Sequence, residues 1–120
     1  MNAVFDTNIL IDYLLGFAQA NKEILLYPNP QISIITKMEI LIGSTTENEE
    51  LIRKFLNNFT IVSINDDIVE IAVSIRKEHK IRLPDALIWA TAKYKNSLLI
   101  TRNIKDFSNQ APDIKIPYQL

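Results

Sequence analysis

Ala3-Val4-Phe5-Asp6-Thr7-Asn8-Ile9-Leu10 reads as an extended apolar run, a polar break and the start of a helix. Residues 2 to 6 are mostly apolar. Asp6-Thr7-Asn8 supplies N-cap chemistry for a helix that carries Ile9, Leu10, Tyr13 and Leu14 at helical spacing, and Gly16 stops it. The chain therefore opens strand, turn, helix, and the rest repeats that grammar. Residues 18 to 26 read as a second, weaker helix before the stiff connector Tyr27-Pro28-Asn29-Pro30. Gln31 to Ile34 form a short strand, and a helix from about Thr36 to Ile42 ends at Gly43. After the polar turn Ser44 to Asn48, the helix Glu49 to Asn57 places Leu51, Ile52, Phe55 and Leu56 on one face, and Phe59 to Ile64 alternates as a strand should. Asn65 and Asp66 can cap a helix with Ile68, Ile71, Ala72 and Ile75 at i, i+3, i+4 and i+7. Pro84 suits the first position of another helix, and Ala86-Leu87-Ile88-Trp89-Ala90 is apolar almost all round, which predicts a central, buried helix. Ser97 to Ile100 is a buried strand, and Ile114-Lys115-Ile116 is a short last one. Strands alternating with helices throughout predict the α/β class, with a mainly parallel sheet covered on both faces.

At 120 residues the chain is most simply one domain, residues 1–120, and needs no covalent staple. It has no cysteine and one histidine, His79, so disulfides are excluded and a zinc site of the usual nitrogen or sulfur kind has too few ligands; any metal must be held by oxygen. Charge and proline interrupt every apolar stretch well short of the ~20 residues that span a bilayer. Asp6 and Asp12 break what would have to be a signal-peptide core, so a cytoplasmic location is expected. The formal charge of −1 argues against holding nucleic acid by bulk electrostatics, yet bound cations can reverse the sign of an acidic centre. Lys37, Arg82, Lys93, Lys95 and Arg102 can form a basic rim around such a centre, or simply solvate helix faces.

Four segments each bring an acid or amide to a strand end or a first helical turn: Val4 to Asn8, Thr36 to Glu39, Leu83 to Ala86 and Ile100 to Asn103. A carboxylate set in apolar sequence costs several kcal/mol in desolvation unless something positive compensates it. Each acid also has a local explanation. Asp6 can cap a helix, Thr36-Lys37-Met38-Glu39 matches the capping box, and Asp85 behind Pro84 favours the helix dipole. What favours a shared site is their company, because a parallel α/β sheet gathers strand ends and helix N-termini at one edge, where ligands bind. Oxygens from several acids, completed by water, are how magnesium is usually held. Asp66, Asp67, Glu47, Glu49 and Glu50 lie in polar turns or at exposed helix starts, and His79 lies at a helix end, where solvated or capping roles suffice.

Together, Asp6-Thr7-Asn8, Ser33-Ile34-Ile35-Thr36 with Glu39 and Gly43, Leu83-Pro84-Asp85-Ala86-Leu87-Ile88 and Leu99-Ile100-Thr101-Arg102-Asn103 resemble the PIN domain, particularly the VapC toxins of bacterial type II toxin–antitoxin systems. No one motif is specific; the ordered set at matching spacing covers nearly the whole chain. The resemblance implies a three-layer α/β/α domain that cleaves RNA with Mg2+ or Mn2+. The family's acidic quartet carries over to Asp6, Glu39 and Asp85, which would hold the metal. Its fourth position falls on Asn103, often an aspartate in the family, with Asp106 as a substitute three residues on. Asn8 and Thr101 match positions that support the site by hydrogen bonding. The resemblance further implies a homodimer and a small antitoxin whose tail covers the cleft.

On this reading a water activated at the metal attacks a phosphodiester, and Lys37 and Arg102, each beside a site residue, are candidates to hold phosphate. Tyr94 can stack a base, although the core is its expected place. The rival from another class is a PIN-like binding protein with weak or no catalysis, which Asn103 in place of an acid keeps open. A phospho-receiver wants an acidic pair after the first strand and a haloacid-dehalogenase phosphatase wants Asp-x-Asp; Asp6-Thr7-Asn8 meets neither.

Overall fold

The computed structural model describes residues 2–107 and 111–120. Its strands are β1 (Ala3–Phe5), β2 (Gln31–Ser33), β3 (Thr60–Val62), β4 (Leu98–Ile100) and β5 (Ile114–Lys115). Its helices among the described residues are α1 (Thr7–Leu14), α2 (Ala18–Leu25), α3 (Ile34–Ile42), α4 (Glu49–Leu56), α5 (Asp66–Glu78) and α6 (Leu83–Tyr94). The strands form one parallel sheet in the order β3-β2-β1-β4-β5. Chain order runs outward from β1 on one side as far as β3, then returns to begin again at β4 on the other. The topological switch therefore lies between β1 and β4, where Phe5 pairs with Ile100 and Asp6 N–H donates to Ile100 O at 2.9 Å.

Alternate residues of the central strands face opposite layers. Val4 and Leu99 pack with Ile68, Ala72 and Ile75 of α5 and with Ala86, Ile88 and Trp89 of α6. Ala3, Phe5 and Ile100 pack with Ile9 and Leu10 of α1, Ala20 of α2, Ile40 of α3 and Leu56 of α4. Those two cores make the three-layer α/β/α arrangement that the sequence predicts. Helix α6 is buried along most of its length, as its all-round apolar pattern requires. On the other layer Phe5 is flanked edge-on by Tyr27 and Phe59, and Phe55 stacks flat on Tyr13.

Several local expectations hold. Asn65 Oδ1 caps α5 through Ile68 N–H at 2.9 Å, Gly43 ends α3, and Gly16 takes φ +90°, a conformation that glycine adopts without strain, directly after α1. Others need correction. Strand and helix do not simply alternate: each of the first three crossovers carries two helices, and the described residues between β4 and β5 carry none. Helix α3 begins three residues earlier than its capping box predicts. Ser33 is its N-cap, accepting from Ile35 N–H at 3.1 Å, so Glu39 sits beyond the first turn and caps nothing. Tyr94, placed in the core by its sequence context, is 38 % exposed at the far end of α6 from Asp85. Among the described residues, no helix is long and apolar enough to cross a membrane.

Because Ile88 has no exposed surface and packs where α6 meets the sheet, Ile88→Ala is expected to cost about 3 kcal/mol. Urea unfolding followed by circular dichroism reads this as a lower midpoint at unchanged slope.

Candidate active site

Asp6 follows β1 directly and is the N-cap of α1, so one residue serves both strand end and helix start. Its Oδ1 accepts Thr7 N–H at 2.7 Å, and its Oδ2 accepts the Thr101 hydroxyl at 2.8 Å and Asn8 Nδ2 at 3.2 Å. These bonds fix the carboxylate without neutralising it. Asp6 is 4 % exposed, and burial pushes its pKa up to about 6 against the hydrogen bonds that pull the other way, with the charges of Asp85 and Glu39 adding to the rise. Asp85, in the first turn of α6, is also raised, chiefly by burial. The nearby Arg82 guanidinium opposes that shift, while the charges of Asp106 and Glu39 add to it.

The two aspartates line a cleft of about 220 Å3 together with Thr7, Asn8, Ile11, Glu39, Arg82 and Asn103. Four separate segments contribute, and all of them start at the carboxyl ends of β1, β2 and β4 or at the start of α6. Glu39 comes in from α3, where Thr7 Oγ1 lies 2.6 Å from its Oε1 and 3.1 Å from the buried Thr36 hydroxyl. Having one proton, the Thr7 hydroxyl donates to the carboxylate and accepts from Thr36. No three Asp, Glu or His side chains among the described residues close around a point as a ready-made cage. The donors are oxygens around an open cleft, which suits a hard cation that keeps much of its water.

Asn8 and Thr101 both hydrogen-bond to the Asp6 carboxylate. Asn8 donates to Asp6 and lies 3.3 Å from the Thr101 hydroxyl, while its own Oδ1 accepts Arg102 N–H. Thr101 Oγ1 in turn accepts Asn103 N–H at 3.1 Å. Asn103 reaches the cleft, but its Oδ1 accepts the N–H groups of Lys105 and Asp106, and its Nδ2 donates to Asp106 Oδ2 at 2.9 Å. The amide thus shapes its own loop and holds Asp106, whose charge is felt by Asp85.

Of the basic candidates, Arg82 alone lines the cleft. Arg102 grips Asp12 with Nε at 2.7 Å and Nη2 at 2.9 Å, and the Tyr118 hydroxyl donates to the same carboxylate at 2.8 Å. Lys37 borders a separate hollow with Arg53 and Asn57, and Lys93 pairs with Asp113 near Trp89. Sequence reasoning passed over Thr7 and Asp12. The signal for Asp12 was present, since it follows Ile9 by three residues on the buried stripe of α1, where a lone carboxylate demands a partner.

Two outcomes follow from these charges. In metal-free protein Asp6 binds its proton more tightly folded than unfolded, so its contribution to stability falls as pH rises between about 4 and 6. Urea unfolding in chelator is expected to show wild type losing about 1 kcal/mol, relative to Asp6→Asn, between pH 5 and pH 7.5. Asp12→Ala, which leaves the Arg102 guanidinium and the Tyr118 hydroxyl without their acceptor, is expected to cost roughly 2 to 3 kcal/mol in the same assay.

Comparison with known proteins matches these features. The PIN domain family model matches residues 3–111. Among solved structures, a toxin–antitoxin complex from Klebsiella pneumoniae contains a chain 42 % identical, with a TM-score of 0.94, covering 99 % of this chain and 100 % of that one. VapBC2 from Rickettsia felis, bound to a DNA fragment from its promoter, has a chain alike in fold at 23 % identity and TM-score 0.82, covering 96 % and 98 %. VapBC-1 from nontypeable Haemophilus influenzae gives 25 % identity and TM-score 0.75, covering 98 % of each chain. No curated protein sequence matches. With its five parallel strands and its acids at the β1/β4 switch, the chain belongs to the PIN domain family, and its likeness within that family is to the VapC-type chains of toxin–antitoxin complexes.

Proposed function

We propose that this chain is an endoribonuclease dependent on Mg2+ or Mn2+, acting in the cytoplasm as the toxin of a toxin–antitoxin pair. The observation that carries the reading is the Asp6 carboxylate: buried at the β1/β4 switch, its pKa pushed up to about 6, and facing a cleft with Asp85 and Glu39 in which, among the described residues, only Arg82 brings positive charge. Such an arrangement lowers stability unless a cation enters, and a structural role gives no reason to assemble it. Asp6 and Asp85, with Glu39, would hold the ion; the oxygen-only donor set fits Mg2+ or Mn2+. When bound, the ion supplies charge that acidifies water and offsets negative charge gathering on phosphate.

The chain's own groups supply the remainder. Thr101 and Asn8 fix Asp6 in one orientation, and Thr7 does the same for Glu39. A carboxylate of the set takes one proton of the attacking water as the water oxygen bonds to phosphorus, and the bond to the 3′ oxygen breaks with that oxygen taking a proton from solvent to leave as a hydroxyl. Asn103, with Asp106 behind it, fills the fourth position as a neutral group, which favours one strongly held ion over two. The identity to the Klebsiella pneumoniae toxin–antitoxin complex supports an antitoxin as partner, and a second copy of the chain is the other expected one. Leu15, Leu25, Leu26 and Ile42, all more than half exposed on or beside α1 to α3, offer apolar area for such contacts.

Metal-stripped protein is expected to leave structured RNA intact, and added Mg2+ or Mn2+ to restore discrete cuts visible on a sequencing gel. Asp6→Asn, folded by circular dichroism, is expected to lose at least about a hundredfold in rate. Folded wild type that cuts no RNA in either metal favours instead the PIN-like binding protein, a reading that the engagement of Asn103 within its own loop supports.

A further inference from the structure

Two arginines stand at this edge of the sheet, and they are held in opposite ways. Arg102 meets Asp12 through two nitrogens at 2.7 and 2.9 Å, and the Asp12 side chain is 2 % exposed. Arg82 meets Asp85 through Nε alone, at 3.3 Å, with 73 % of its side chain exposed. The first contact is a fixed pair; the second is a single, long, solvent-facing one of the kind that adds little to stability. Local structure does not account for Arg82 either. It is the N-cap of α6 yet makes no side-chain capping bond, and its positive charge stands at the positive end of the helix dipole. Serine or aspartate there would serve the helix better. A residue that serves its helix poorly, in an acidic cleft where it is the only cationic lining residue among the described residues, is explained by the cleft.

We propose that Arg82 is the chain's own phosphate anchor: it covers Asp85 while the cleft lacks a cation, and moves to a non-bridging oxygen of the RNA phosphodiester when a divalent ion takes Asp85. The inference rests on the metal-dependent nuclease reading above. A guanidinium suits both partners, since carboxylate and phosphate each present paired oxygens to its planar fork. The present contact uses Nε only, on a side chain that is 73 % exposed, so the terminal nitrogens are not committed to Asp85.

The exchange makes two effects of one substitution run in opposite directions. Arg82→Ala removes a cation that competes for Asp85 and repels an incoming ion, so Mn2+ binding, read by the loss of free-ion signal in electron paramagnetic resonance, is expected to tighten by about two- to fivefold. In the same variant the KM for a single-stranded RNA substrate is expected to rise at least about tenfold with kcat changed far less, and Arg82→Lys to fall between Ala and wild type on both measures. A purely structural Arg82 would shift the unfolding midpoint and leave both measures in place. Unchanged or weaker Mn2+ binding by Arg82→Ala, or an unchanged KM, overturns the proposal while leaving the nuclease reading intact. Wild type that binds no Mn2+ overturns both.

Discussion

The pairing of β1 with β4 is the constraint on which the rest depends. It joins residues nearly a hundred positions apart, and by setting Phe5 opposite Ile100 it puts Asp6 and Thr101 side by side at the strand ends. Both strands are buried on both faces, so a slip of one residue would exchange the α1–α4 core for the α5–α6 core at every position. Register and site are therefore specified together: the apolar alternation that fixes one fixes the other.

The acids at this edge are made compatible with burial in two different ways. Asp12 receives full compensation from Arg102 and Tyr118, and the result is a brace between α1, the loop after β4 and the C-terminal segment. Asp6 receives hydrogen bonds but no facing cation, and its carboxyl remains well above the ordinary aspartate range. Asp85 lies between these extremes, with one exposed arginine at arm's length. The gradient from complete to absent compensation separates the residues that hold the fold from those left free to hold a ligand.

Much of this was legible in the sequence because the signals were local and periodic. Every strand and every helix came from apolar spacing and turn chemistry, and the candidate site residues Asp6 and Thr101 from their places at strand ends and Asp85 from its place in the first turn of a helix. What was not legible depends on contacts between distant segments. The Thr36–Glu39 capping box is a valid local pattern, but Ser33 at the end of β2 starts the helix earlier and frees Glu39 for Thr7. Arg102 next to a site residue looked available to substrate, and only the fold shows Asp12 within its reach. Tyr94 shares an apolar helix, yet lies where α6 leaves the sheet. The order of the strands, too, follows from packing across the whole chain and not from any one segment.

One consequence concerns the order in which the molecule is made. Of the described strands β1 is translated before the others, and its neighbour β4 comes nearly a hundred residues later. Tyr118, the third partner of the brace on α1, comes 106 residues after Asp12. Contacts between such distant positions form late, after the loop between them has been closed. The acidic cleft is thus assembled only once translation has passed β4, and a nascent chain that stops short of α6 carries Asp6 and Glu39 without the Asp85 and Thr101 that complete it.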